Sequence, residues 1–251
     1  MRPRWRTGPA TITLVRHGES IGNLADTKAQ EAKAEVLDLV DRDADVALSP
    51  RGREQAAAIA AWLDDAASAE RVPDAVISSP YRRAAETAER ALAHTQVTIT
   101  YDERLRERDL GLFDGLTGRG IRARYPDEAE RRQRLGKFYY QPPSGESWCD
   151  VVLRIRTLLR DLESLDGAHV WLVTHQAVIM GVRFVLEELT EQAVLDMDRS
   201  TPVPNASLTI YERVDDAFAL RQFGDATPIE TLTAPVTHER DARQRTGERT
   251  P

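Results

Sequence analysis

Short β-rich apolar runs alternate along this chain with helical patterns, and three of those runs end in polar clusters. Thr11 to Val15 (TITLV) is continuous and apolar, the pattern of a strand buried on both faces by covering helices. Asp74 to Ser79 (DAVISS), Val97 to Tyr101 (VTITY) and His169 to Thr174 (HVWLVT) read the same way. Around them the spacing predicts helices over Arg53 to Ala67, Tyr81 to Ala93, Gly145 to Leu165 and Ala177 to Leu189. In the third of these, Val151, Ile155, Leu158 and Leu162 share one face. ASLTIYER and AFALRQF, at 206–213 and 217–223, read as a C-terminal hairpin. This alternation predicts an α/β fold: a single three-layer α/β/α domain with a mostly parallel central sheet flanked by helices. A length of 251 residues suits one such domain, and a hydrophobic fraction of 41% is enough for its core. Residues 1–8 and 225–251 carry charge without apolar periodicity, so they are expected to be mobile ends around a domain over 9–224.

Composition removes several classes of function. With 41 acidic against 34 basic residues the net charge is −7, the wrong sign for a dedicated nucleic-acid binder. Cys149 is the single cysteine, so no disulfide forms within the chain, and a reducing compartment fits. No apolar run approaches the ~18 residues needed to span a bilayer. Basic Met1 to Thr7 has no apolar core after it, so a soluble cytoplasmic protein without a membrane partner is expected. The sequence carries no signal for an oligomeric state.

Open α/β sheets bind ligands beyond the carboxyl ends of their strands. The polar clusters sit there: Arg16-His17-Gly18-Glu19-Ser20 after the first strand, Ser78-Ser79-Pro80 with Arg82 and Arg83 after the second, and Thr174-His175-Gln176 after the fourth. Histidine and arginine therefore converge on one rim, as an anion site requires. Arginine offers a rigid, permanently charged fork matched to phosphate oxygens. Neutral imidazole is a competent phosphoryl acceptor near neutral pH. Fixed cations stabilise the charge spread over a phosphoryl group in flight, and a carboxylic acid can protonate the departing alkoxide.

LVRHGES (Leu14 to Ser20), followed by Asn23, resembles the signature of the histidine phosphatase superfamily, in its phosphoglycerate-mutase-like branch. The resemblance continues in order through LSPRGREQA (48–56), SSPYRRAAETA (78–88), LRERDLGLFDGLT (105–117), PSGESWCDV (143–151) and LVTHQAV (172–178), and spans roughly residues 11–223. It implies a phosphatase-type member that needs neither metal nor other cofactor and acts on a small phosphorylated metabolite. By the same resemblance His17 is the nucleophile that becomes phosphohistidine, and Glu107 is the general acid and base. Arg16, Arg83 and His175 grip the phosphoryl oxygens, and Asn23 adds a hydrogen bond. Arg83 is preferred over Arg82 because it directly precedes alanine, as in the family's second block. Gln176 stands where many members carry glycine, and is a further candidate phosphate ligand. HQAV and KFYYQPPSGES (137–147) resemble the bisphosphatase domain of the bifunctional fructose-2,6-bisphosphate enzyme, so a sugar bisphosphate and a broad range of monoesters both fit as substrates. Phosphoglycerate mutase and a non-catalytic phospho-ligand sensor are the further alternatives.

Other motifs lead elsewhere. Four residues separate Cys149 from Arg154, one short of a Cys-x5-Arg phosphatase loop, and Cys149 falls in a helical pattern, so it reads as structural. Asp41, Asp43 and Asp45 mimic the start of a calcium loop, but Val46 replaces the required glycine and Gly52 the terminal glutamate. A solvated acidic loop is the expectation there. Arg104 to Lys137 holds ten bases and six acids, read either as a salt-bridged surface or as a rim that attracts phosphorylated substrates.

Overall fold

The computed structural model describes residues 5–65, 71–230 and 235–238. Six strands form one sheet: β1 (Thr11–Arg16), β2 (Ala75–Ser78), β3 (Ile99–Tyr101), β4 (His169–Thr174), β5 (Leu208–Val214) and β6 (Ala217–Asp225). Their order is β3-β2-β4-β1-β5-β6. The pairings β1–β4, β2–β4 and β2–β3 are parallel, while β5 pairs antiparallel with both β1 and β6. The chain is thus a single α/β domain with a six-stranded mixed sheet flanked by helices, as its strand–helix alternation implies.

The alternation of side chains along each central strand feeds two separate cores. Ile12, Leu14, Val170 and Leu172 pack on one face with helices α6 (Trp148–Asp161), α7 (Gln176–Leu186) and α8 (Glu191–Ser200). Val15, Val76, Trp171 and Val173 pack on the other with α2 (Pro50–Asp64), α3 (Arg82–Ala91) and α9 (Thr227–Glu230). This is why TITLV and HVWLVT carry no polar face: both sides of the strand are covered.

Boundaries shift from the periodicity for reasons of capping. Helix α2 begins at Pro50 rather than Arg53, because Ser49 caps it by accepting from the Gly52 amide, with proline in the first turn. Ala66 and Ala67, expected at its end, lie outside the described residues. Helix α6 begins at Trp148 rather than Gly145, where Ser147 and Asp150 form a capping box. Helix α7 stops at Leu186 rather than Leu189, as Glu188 takes a left-handed φ of 53°. Five helices were not expected: α1 (Ile21–Glu31), α4 (Gly118–Arg124), α5 (Pro126–Leu135), α8 and α9.

Parts of both ends pack on the domain. Within 5–8, Trp5 and Gly8 are buried while Arg6 and Thr7 are exposed. Trp5 is buried edge-on against Phe218 at 4.9 Å, its amide donating to the Asp216 carbonyl. Ile229 in α9 is buried, and residues 235–238 hydrogen-bond to Gln55 and Asn205. Single apolar anchors of this kind leave no period in a sequence. Residues 1–4, 231–234 and 239–251 lie outside the described residues.

Candidate active site

Strands β1, β4 and β2 end level with one another: Arg16 lies opposite Thr174, and Ser78 opposite Val173. The chain beyond each end is stitched to its neighbour, with the His17 amide donating to Thr174 O and the Ser79 amide to Val173 O, both at 2.9 Å. His17, Ser79 and His175 are therefore delivered to one place by the sheet itself. Glycine at position 52 allows the loop after β1 to press on α2, since a Cβ there would sit 2.0 Å from the Glu19 carbonyl oxygen.

His17 is only 3% exposed, and its Nδ1 lies 2.7 Å from the Gly18 carbonyl. A carbonyl can only accept, so Nδ1 carries a proton, and in the neutral ring the lone pair is on Nε2. The ring of His175 lies 5.1 Å away, centroid to centroid. His175 is fully buried, with Nε2 2.9 Å from Ser79 Oγ and with no hydrogen bond at Nδ1. Burial first, and then the nearby positive charge of Arg83 with that of Arg154 and Arg16, pushes this imidazole well below its ordinary value of 6.5. At neutral pH it is uncharged.

Arg16 is buried behind the site, with its Nη1 donating to the Val203 carbonyl. Arg83 reaches from the first turn of α3, over the Tyr81 ring at 5.3 Å from its centroid. Its neighbour Arg82 points outward to Glu86 at 2.9 Å, so of the two it is Arg83 that faces the site. Asn23 occupies the third position of α1, where its Oδ1 accepts from the Ser20 amide in a capping box. Glu107 is half-buried, its carboxylate accepting from the Arg108 amide at 2.7 Å.

His17, Asn23, Arg83, Glu107 and Gln176 line a common cleft of about 1030 Å³, with Arg16 and His175 buried behind its wall. Gln176 donates from Nε2 to Asp198, at 3.2 Å, and Asp198 also pairs with Lys137 at 3.2 Å. Arg108, Arg122 and Arg132 line the same cleft. Burial lowers the Arg108 guanidinium to about 10, still protonated near neutrality. Other bases of the 104–137 stretch are spent in ion pairs, Arg104 with Asp102 and Arg106 with Glu146 among them.

Several residues that shape the site escaped the sequence reading. Asn205 donates to the His17 carbonyl at 3.2 Å, and Tyr81 stands edge-on to His175 at 5.5 Å. Asn205 has no motif around it, and Tyr81 lies inside the 78–88 block, where attention falls on the arginines. Asp43, expected in a solvated loop, instead pairs with Arg83, whereas Asp45 does pair at the surface with Arg42. Cys149 is half-buried on α6 against the core. Among the described residues, no group of three or more His, Cys, Asp or Glu side chains could hold a metal ion, and no helix is long and apolar enough to cross a membrane.

Strand ends that set His17 in a cleft lined also by Arg83, with Arg16 and His175 buried nearby, are the arrangement of an α/β enzyme of the phosphoryl-handling class. The chain belongs to the histidine phosphatase superfamily (branch 1), whose family pattern matches residues 12–226. It is 34% identical over 174 residues to a 6-phosphofructo-2-kinase/fructose-2,6-bisphosphatase of Caenorhabditis elegans, a match covering 68% of this chain and 33% of that protein. The chain thus spans about a third of the length of the curated relatives it matches. Among solved structures it resembles a mycobacterial glucosyl-3-phosphoglycerate phosphatase with inorganic phosphate, at 27% identity and a TM-score of 0.67, over 86% of this chain and 98% of the other. The fold also matches that of an α-ribazole phosphatase from Shigella flexneri, at 20% identity and a TM-score of 0.70, over 86% and 96% of the two chains.

Proposed function

We propose that this protein is a metal-independent phosphatase that hydrolyses a small phosphomonoester through a phosphohistidine on His17. The observation that carries the reading is the Gly18 carbonyl 2.7 Å from Nδ1 of His17, a cleft-lining residue: in the neutral ring it holds the proton on Nδ1 and leaves the lone pair on Nε2. In the first step Nε2 attacks phosphorus in line with the departing oxygen, and Glu107 in its acid form protonates that oxygen. Arg16 and Arg83 stabilise the equatorial oxygens. Ser79 Oγ accepts from the Tyr81 amide, so its own proton is available to His175 Nε2. In that arrangement His175 Nδ1–H donates to a phosphoryl oxygen, which gives its buried nitrogen a partner. Asn23 contributes its Nδ2, since its Oδ1 is held by the Ser20 cap. Water then attacks the phosphohistidine while the Glu107 carboxylate takes its proton.

A sugar bisphosphate is a second reading of the substrate. It is favoured by the basic side chains Arg108, Arg122 and Arg132 along the cleft and by the fructose-2,6-bisphosphatase activity for which the relatives are named. A histidine phosphatase domain over 9–224, with 1–8 and 225–251 as peripheral end segments, and a cytoplasmic location belong to the same proposal. Incubation with a labelled phosphomonoester, quenched within the first turnovers, should trap acid-labile phosphate on the protein. His17→Ala should abolish both the label and phosphate release. Phosphate release that survives intact in His17→Ala would overturn the reading.

A further inference from the structure

The two terminal nitrogens of Arg83 are already occupied. Nη1 lies 3.0 Å from Asp43 Oδ1, and Nη2 lies 3.1 Å from Oδ2. Nη1 also donates to the Asp43 carbonyl at 2.6 Å. This is the fork-to-fork geometry by which a guanidinium grips a phosphoryl group, with a carboxylate in the phosphoryl's place. We infer that Asp43 is an internal occupant of the phosphate site, a carboxylate that holds Arg83 until a substrate phosphoryl group displaces it. The inference rests on the reading of Arg83 as a phosphate ligand and adds the residue that competes for it.

Burial explains why an occupant is needed. The Arg83 side chain is only 6% exposed, against 39% for Asp43. A guanidinium withdrawn from water loses its hydration, and without a counter-ion that loss goes uncompensated. Asp43 supplies the counter-ion when the cleft is empty, and being the more exposed partner it has water to return to. The element that carries it is suited to leaving. Asp43–Asp45 is a single 3-10 turn with no buried residue, and Val40 just before it is fully exposed. Short, weakly packed turns open at low cost. A phosphoryl dianion brings more charge to the fork than a carboxylate does, and it repels the carboxylate it replaces. The exchange therefore favours phosphate monoesters and disfavours ligands that offer only a carboxylate, so Asp43 acts as a specificity determinant.

The test is a double-mutant cycle read with inorganic phosphate as the probe, by calorimetry and as competitive inhibition of p-nitrophenyl phosphate hydrolysis. Asp43→Asn keeps the shape of the side chain and removes its charge. It should bind phosphate about three- to tenfold more tightly than wild type, and KM for p-nitrophenyl phosphate should fall by a similar factor. Asp43→Ser should move in the same direction. In an Arg83→Ala background the Asp43→Asn gain should vanish. Unchanged or weaker phosphate binding in both Asp43 variants overturns the inference, because a residue that merely braces Arg83 would weaken binding when lost. A gain that persists without Arg83 overturns it as well. Wild-type phosphate affinity in Arg83→Ala alone would instead remove Arg83 from the phosphate site, a failure of the underlying reading that is distinguishable from the other two.

Discussion

Two histidines stand 5.1 Å apart in this site, and their partners give them different work. His17 has a carbonyl at Nδ1, which in the neutral ring puts the lone pair on Nε2, as the proposed nucleophile requires; His175 has a hydroxyl at Nε2 and no partner at Nδ1, which suits the proposed donor. The sequence placed both at strand ends, with Gly18 beside His17, but their separate chemistry also depends on Ser79 Oγ and Asn205, contacts made across the fold that no local pattern encodes. His175 also carries a prediction for stability. Its folded pKa is depressed by burial and neighbouring cations, whereas the unfolded chain protonates it near 6.5. Below about 6.5 the unfolded state therefore binds a proton that the folded state refuses, so stability is complete above that pH and falls as pH drops. One such group costs at most ~1.4 kcal/mol per pH unit. Denaturant unfolding at pH 7.5 and 5.5 should show a steeper loss for wild type than for His175→Asn. His169, also depressed by burial, is common to both proteins and does not blur the difference. Equal losses in the two would exclude His175 as a buried neutral imidazole.

Legibility at the level of elements follows how each is stabilised. Strands β1 and β4 announced themselves because both faces are buried, which demands an unbroken apolar run. Helices α6 and α7 did so through apolar faces on the core. By contrast α5 buries no residue, α4 buries only Gly118 and Gly120, and α1 buries Ala25, Asp26 and Ala29. Such helices cover the cleft instead of the core, so they carry no apolar period to read. The junction of the β1 loop with α2 is a backbone-to-backbone contact and is equally silent, apart from its glycine. At Gly52 an added Cβ would lie 2.0 Å from the Glu19 carbonyl oxygen, and backbone on both sides cannot yield as a flexible side chain would. Gly52→Ala is expected to destabilise the protein by ~1–3 kcal/mol, the range for forced overpacking. Because Glu19 lies two residues from His17, the displaced loop should also lower kcat on p-nitrophenyl phosphate by tenfold or more. A melting temperature and kcat both within error of wild type would show that the loop and α2 are free to separate.

On the scale of the whole molecule, the C-terminal segment is tied to the back of the catalytic loop. Gln55 Nε2 donates to Pro235 O at 2.7 Å and to Thr237 Oγ1 at 2.9 Å. Thr237 in turn accepts from the Asn205 amide through its carbonyl and donates to Asn205 Oδ1 at 3.2 Å. The carboxamide of Asn205, oriented in this way, donates from Nδ2 to the His17 carbonyl, and that of Gln55 accepts from the Glu19 amide at 2.8 Å. The strap therefore orients two side chains that hold the loop from Arg16 to Ser20. Composition could not reveal this, since PVTH is short, polar and aperiodic. Each net hydrogen bond contributes ~1 kcal/mol, and ordering the strap offsets part of their sum. A chain ending at Glu230 should be ~1–3 kcal/mol less stable than one ending at His238. Its kcat should fall several-fold while KM changes less, because the cleft walls that contact the substrate keep their own supports. Thr237→Val in the full chain, which removes the hydroxyl and keeps the backbone bond, should lie between the two. Identical kcat in all three proteins would mean that Asn205 holds its orientation without the strap.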